Sequence, residues 1–273
     1  MPLPRVIVTR PAREAGEWVA QLGAWGVDAV ALPLIAIGPC QDTAAQHALA
    51  QARSQLLQYR ALMFVSGNAV VHFFKPNRPL ALSGQAQGAI KTRAWAPGPG
   101  TALALEQFGV PRHAIDGPAP DAAQFDSEAL WKQVSGQIRP GDRVLIVRGR
   151  SASPQDAHES SQGSGRDWLS RQIEAAGGTV DFVVAYQRGA PQFTAQEVAL
   201  AQQAARGGSI WLLSSSEAVA HLAQALPGQD WGAAQALATH PRIADAARAA
   251  GFGTVRECRP ALADVVASIE SAA

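Results

Sequence analysis

The chain has 273 residues, 47% of them hydrophobic, and 23 Lys and Arg against 22 Asp and Glu give a formal net charge of +1. Near-neutrality argues against a sequence-blind polyanion binder, which needs a net basic surface to displace counterions, and leaves a local anion site open. The apolar content is that of a chain that buries a real core, so disorder is excluded as the main state, and the length falls between one large domain and two small ones.

The start, MPLPRVIVTRP, lacks the apolar core of a signal peptide. No run reaches the roughly 18 uncharged apolar residues that span a bilayer. The expectation is a cytoplasmic protein. In chain order, residues 5–9, 29–32, 61–65, 92–96, 143–147, 180–186, 209–213 and 236–239 read as short aliphatic strands. The helices expected with them are 13–25, 68–73, 101–108, 127–134, 166–176, 216–225 and 243–250, many rich in Ala. Such alternation predicts an α/β fold with parallel sheets. Gly26, Gly109, Gly177 and Gly251 each stand just past a helix, where a left-handed residue closes the last turn. Residues 116–126 read as a surface connection leading into a helix capped by Ser127 or Asp126. The polar stretch 151–165, SASPQDAHESSQGSG, reads as a solvated loop, the other possibility being a lid over a site.

An internal repeat organises these elements. VIVTR at 6–10 resembles VLIVR at 144–148, and each is followed by a helix carrying Trp18 or Trp168 and then by a Val-Asp strand start, Val27-Asp28 or Val180-Asp181. MFVSGNAVVHFF at 63–74 matches LLSSSEAVAHLA at 212–223 through Ser66/Ser215, Ala69/Ala218, Val70/Val219 and His72/His221. AWAPGPGTALALEQFG at 94–109 matches ALATHPRIADAARAAG at 236–251. The consequence is two similar α/β units. Trp18 and Trp168, at matching helical positions, are expected in the cores.

Several chemistries find no motif. Cys40 and Cys258 form no CxxC or metal spacing and are expected as reduced thiols. Gly98-Pro99-Gly100 starts like a dinucleotide fingerprint, but Leu103 stands where the third glycine belongs and Pro99 lacks a donor. There is no phosphate loop, nucleophile elbow or histidine spacing for a metal. No cofactor and no metal are expected.

What remains is a set of polar residues directly after strands, where open α/β sheets place their ligands: Thr9, Arg10, Ser66, Asn68, Thr101, Arg148, Tyr186, Ser214, Ser215, Ser216, His240 and Arg242. In order, the chain shows a first strand ending TRP, then F-x-S-x-N-A-V, G-x-x-T-A, a strand with R-G followed by R-x-W-L, V-x-x-V-x-x-Y, S-S-x-A-V, and H-P-R-I-A-x-A-A. Together these motifs resemble the uroporphyrinogen-III synthase family over nearly the whole chain. The long stretch 151–165 and Pro97 depart from the pattern.

The resemblance implies two parallel-sheet α/β domains with a cleft between them, residues 1–37 with 187–273 forming one and 38–186 the other. A two-stranded connector would run near 34–38 and 186–192. It also implies cyclisation of hydroxymethylbilane with inversion of the last pyrrole ring, without a cofactor. A monomer with no nucleic-acid or membrane partner is expected. Hydroxide must leave the hydroxymethyl carbon, giving an azafulvenium that closes through a spiro intermediate, so the protein mainly holds the substrate's conformation. Tyr186 is the candidate acid for that departure, because a phenol is a donor at neutral pH; the other reading is an aromatic packed at the hinge. Substrate carboxylates would be met by Ser66, Asn68, Thr101, Ser215 and Ser216 at helix starts and by Arg10, Arg148, His240 and Arg242. For the serines and Thr101 plain helix capping stays open, and for Arg10 and Arg148 a shared structural role. A non-catalytic anionic-ligand binder or a regulatory relative of the same fold is the alternative function.

Overall fold

The computed structural model describes residues 3–74, 92–119, 122, 124–151 and 164–271, with residues 164–166 described by backbone only. Most of the stretch 151–165, and with it the choice between loop and lid, lies outside the described residues. The described helices and strands alternate in this order: β1 (Arg5–Val8), α1 (Ala12–Ala24), β2 (Ala29–Ala31), β3 (Ala36–Gly38), α2 (Thr43–Ser54), β4 (Ala61–Phe64), α3 (Gly67–Phe74), β5 (Arg93–Trp95) and α4 (Pro99–Gln107). They continue as β6 (Ile115–Asp116), α5 (Ser127–Val134), β7 (Arg143–Ser151), α6 (Ser164–Ala175), β8 (Thr179–Gly189), α7 (Ala195–Ala205), β9 (Ser209–Leu213), α8 (Ser216–Ala225), β10 (Gln235–Ala238), α9 (Pro241–Ala249), β11 (Thr254–Glu257) and α10 (Leu262–Glu270). Contacts divide the chain into one unit of Met1–Ile37 with Gly189–Ala273 and a second of Gly38–Arg188.

One sheet runs β11-β10-β9-β1-β2 and the other β3-β8-β7-β4-β5-β6. All pairings from β11 to β2 and from β8 to β6 are parallel. Parallel strands carry helices on both faces, so their sequences read as continuous aliphatic runs. In β1 Val6 and Val8 enter one core with Leu22, Leu212 and Val266, while Ile7 between them enters another with Trp211, Val219 and Phe252. In β7 Val144 and Ile146 pack with Trp95, Leu130 and Ile173. Trp18 and Trp168 are half-buried at the margins of these cores.

The two strand orders are the same once β1 is equated with β7, β2 with β8, β9 with β4, β10 with β5 and β11 with β6. The register agrees: Ala61 pairs Val144 and Arg93, and the matching Ile210 pairs Val6 and Gln235. At one place the sequence match slips. Val6 pairs Ala29 but the equivalent Val144 pairs Val180, so the two Val-Asp pairs stand two residues apart in register. The chain order is informative too, since each sheet takes two strands from one repeat copy and three from the other, with β3 added at the edge of the second sheet outside the repeat.

Several expectations are corrected. β7 runs to Ser151 and β8 to Gly189, well past the aliphatic runs, because the two continue to pair with each other across a register shift at Arg148/Gly149. Polar residues in that extension, among them Arg148, Arg150 and Gln187, hide it from periodicity. β3 and β6 hold three and two residues, too few to show a period. β6 is tied to β5 by Arg93, whose Nε donates to Asp116 Oδ2 at 2.7 Å. The edge strand β11 and the helices α2, α7 and α10 add to the elements expected from the sequence. Gly26, Gly109, Gly177 and Gly251 do take left-handed φ values of 76°, 84°, 85° and 95°. Asp126, not Ser127, caps α5, its Oδ1 accepting from Ala129 N at 2.8 Å.

Candidate functional site

Each unit gathers its share of the expected residues at the carboxyl ends of its parallel strands. In the unit Gly38–Arg188, β4 ends into Ser66 and α3, and Ser66 Oγ accepts the Ala69 N–H at 3.2 Å as an N-cap. The same oxygen lies 3.2 Å from the Tyr186 hydroxyl on β8. Tyr186 is only 5% exposed. Its ring stands beside His72, centroids 5.7 Å apart, and over the backbone of Gly149. The extra residue at the register shift is Ala185: Arg148 pairs Val184 and Gly149 pairs Tyr186. Such a bulge re-aims the side chain that follows it.

Asn68 and Thr101, expected as ligands, are both buried, in the first turns of α3 and α4. Gly98 precedes α4 as its cap and Pro99 is its first residue, where a missing N–H costs nothing. Arg148 lies with its guanidinium carbon 5.0 Å from the Phe182 ring centre, and its buried Nε has no hydrogen-bond partner among the described residues. A cavity of about 220 Å³ adjoins this edge, lined by Pro39, Cys40, Gln46, Leu49, Arg53, His72 and Ala185. Arg53 closes α3 there, donating from Nε to Phe73 O and from Nη2 to His72 O, each at 2.7 Å.

In the unit Met1–Ile37 with Gly189–Ala273, Thr9 is spent on structure, its Oγ1 donating to Leu212 O at 2.7 Å. Arg10 follows it, with its guanidinium carbon 4.5 Å from the Trp18 ring centre and Nη1 3.8 Å from Glu14. Burial lowers its basicity, against the opposing pull of Glu14, and its Nε has no hydrogen-bond partner among the described residues. Arginine nonetheless stays charged. Arg10 and Arg148, equivalent in the repeat, thus each lie against an aromatic ring of their own unit, Trp18 and Phe182, with an Nε unpartnered among the described residues. Ser215 caps α8, accepting from Ala218 N at 3.4 Å, and the buried Ser216 Oγ has no hydrogen-bond partner among the described residues.

His240 is exposed and caps α9, its Nδ1 accepting the Arg242 N–H at 3.1 Å. In the neutral ring this leaves the hydrogen on Nε2. The Arg242 side chain is exposed. His221, the repeat partner of His72, is instead buried, with Nδ1 2.8 Å from Leu34 O. A cavity of about 290 Å³ beside Arg5, Asp28 and Gly208 opens at the amino ends of the strands, away from these residues.

Taken singly, each unit presents helix N-termini and guanidinium groups at the carboxyl edge of its own sheet, a setting for carboxylates, and the unit Gly38–Arg188 adds one phenol, Tyr186. Sequence reasoning missed His72 and Gly149 as neighbours of Tyr186. The paired histidines of the repeat hinted at the first, and the R-G motif contained the second.

A sequence profile of the family described as Uroporphyrinogen-III synthase HemD matches residues 16–266. A protein of Chlorobaculum parvum (strain DSM 263 / NCIMB 8327) named uroporphyrinogen-III synthase is 30% identical over 144 residues, 53% of this chain and 52% of that one. The match thus spans about half the length of that curated relative. Two solved structures share the fold. A mutant uroporphyrinogen III synthase of the extremely thermophilic bacterium Thermus thermophilus superposes with a TM-score of 0.50 at 17% identity, over 98% of each chain. The uroporphyrinogen-III synthetase of Helicobacter pylori 26695 gives 0.56 at 14%, over 99% of this chain and 100% of that one.

Proposed function

The chain belongs to the uroporphyrinogen-III synthase family, and from that premise we propose that it closes hydroxymethylbilane to uroporphyrinogen III with inversion of the terminal ring. The family match over residues 16–266 carries this reading. The carboxyl-edge geometry supports it, because a substrate bearing acetate and propionate groups asks for dispersed anion subsites more than for a reactive nucleophile. Ser216 at the start of α8, Arg10, Arg148 and Arg242 are the cationic or donor groups we assign to those carboxylates, with His240 beside Arg242. Ser66 and Ser215 contribute through the helix starts they cap, and Asn68 and Thr101 through the first turns of α3 and α4.

The chemical step begins with hydroxide leaving the hydroxymethyl carbon. Tyr186 is assigned as its acid. Ser66 Oγ already accepts the Ala69 N–H, so its own hydrogen can point at the phenol oxygen 3.2 Å away. That leaves the phenol hydrogen for the departing oxygen, in a chain of hydrogen bonds whose members polarise one another. Water departs, the azafulvenium carbon is attacked by the substituted carbon of the last ring, and fragmentation of the spiro intermediate followed by re-closure returns a proton. Holding the bilane in the conformation for spiro closure supplies the selectivity, through positioning. The test is incubation with freshly generated hydroxymethylbilane and separation of the oxidised isomers. Isomer III above the no-protein control supports the reading, and an unchanged ratio would leave only a binding or regulatory role.

A further inference from the structure

We propose that Gly149 is a positioning residue of this reaction, acting through Tyr186: its missing side chain is the space in which the phenol ring sits. The inference rests on the assignment of Tyr186 as the acid. A Cβ built on Gly149 would fall within contact distance of three atoms of the Tyr186 ring, among them Cε1 at 2.7 Å, closer than any real Cβ stands to a carbon. Backbone freedom is not the reason for glycine here, since Gly149 has no positive φ and lies within strand β7. What the position requires is emptiness. Gly149 is buried and pairs with Tyr186 across the sheet, one step beyond the bulge at Ala185 that sets which way the tyrosine leaves β8.

The ring is then held on a second side by His72, and the hydroxyl is left at Ser66 Oγ. A methyl group at 149 cannot be absorbed by a flexible chain end, because the atoms it meets belong to a rigid ring in the next strand. The ring must tilt, and a hydroxyl at its far end moves off Ser66. The other repeat copy shows no such device: Pro11 occupies the position matching Gly149, and the unit containing it has no tyrosine at all, the two in the chain being Tyr59 and Tyr186. The Gly149–Tyr186 pair therefore belongs to one unit only, as expected of a reaction that breaks one carbon–oxygen bond per turnover.

The experiment is a double-substitution cycle with Gly149→Ala and Tyr186→Phe, read as kcat and KM for isomer III formation. Gly149→Ala is expected to lower kcat by about tenfold or more with KM within about twofold, and to cost no more than about twofold when added to Tyr186→Phe, since residues acting through one group are not additive. A kcat within about twofold of the parent for Gly149→Ala, while Tyr186→Phe is slow, overturns the role of Gly149 and leaves Tyr186 standing. A fast Tyr186→Phe removes the acid assignment, and the inference with it. If Gly149→Ala fails to fold, Gly149→Ala with Tyr186→Ala must recover a folded protein by removing the clash. Failure to recover, or equal loss of melting temperature from Gly149→Ala with and without the ring, overturns the packing argument.

Discussion

A hydroxyl held 3.2 Å from a serine that is itself fixed as a helix cap has little freedom to wander, which is the condition a positioned acid needs. Tyr186→Phe retains the ring beside His72 and over Gly149 and deletes only the donor. Turnover is expected to fall by roughly one to three orders of magnitude, the range for loss of one positioned proton donor or hydrogen bond, with the melting temperature nearly unchanged. Some isomer III should persist, since selectivity comes from positioning. Activity within about twofold of the parent would remove Tyr186 from the chemistry and leave it as a packed aromatic. At this scale Ser66, Ser215 and Tyr186 were legible because each follows an aliphatic strand run. His72 and Gly149 were not, because their closeness to Tyr186 depends on strand order and on a one-residue bulge, neither of which has a local sequence signal. The burial of Asn68 and Thr101 had no local signal, because polarity alone does not tell a residue facing solvent from one turned into the first turn of a helix.

Among the elements, α7 shows how a helix can lack apolar periodicity and still be firmly begun. Its sequence AQEVALAQQAA buries mainly Ala201, Ala204 and Ala205, so no amphipathic stripe announced it. The signal was Thr194-x-x-Glu197. Thr194 Oγ1 accepts the Glu197 N–H at 3.3 Å and Glu197 Oε2 accepts the Thr194 N–H at 2.8 Å, a reciprocal capping box. Thr194→Ala should therefore cost about 1 kcal/mol, or roughly 2–4 °C in melting temperature for a protein of this size. The Thr194 backbone N–H, then its hydroxyl, hold the Glu197 carboxyl below its ordinary value. A depressed carboxylate contributes stability above its unfolded pKa and loses that contribution as pH falls through the folded one. Between about pH 5 and pH 3, Glu197→Gln should lose less melting temperature than the parent. Parallel pH profiles for the two proteins would contradict this. β3, β6 and β11 were illegible for a different reason: short or polar edge strands are defined by their partner, not by their own residues.

On the scale of the whole molecule, the duplication is woven, not simply tandem. Repeat copies run β1, β2, β4, β5, β6 and β7, β8, β9, β10, β11, yet one sheet joins β1 and β2 to β9, β10 and β11 while the other joins β7 and β8 to β4, β5 and β6. Fold class and repeat were readable in the sequence because parallel strands buried on both faces leave uninterrupted aliphatic runs. The slip of two residues between β2 and β8 was not, because a Val-Asp pair recurs by chance more easily than a paired register does. Residues 38–188 hold a continuous sheet and core of their own, so that segment expressed alone should unfold in one cooperative transition. A gradual, non-cooperative melt would contradict that independence. The most direct measurement is the ratio of uroporphyrin isomers after the protein, without added metal or nucleotide, meets freshly made hydroxymethylbilane and the products are oxidised and separated. Isomer III should dominate over isomer I, with chelator dialysis changing nothing, whereas a ratio equal to that of the protein-free reaction would contradict the account.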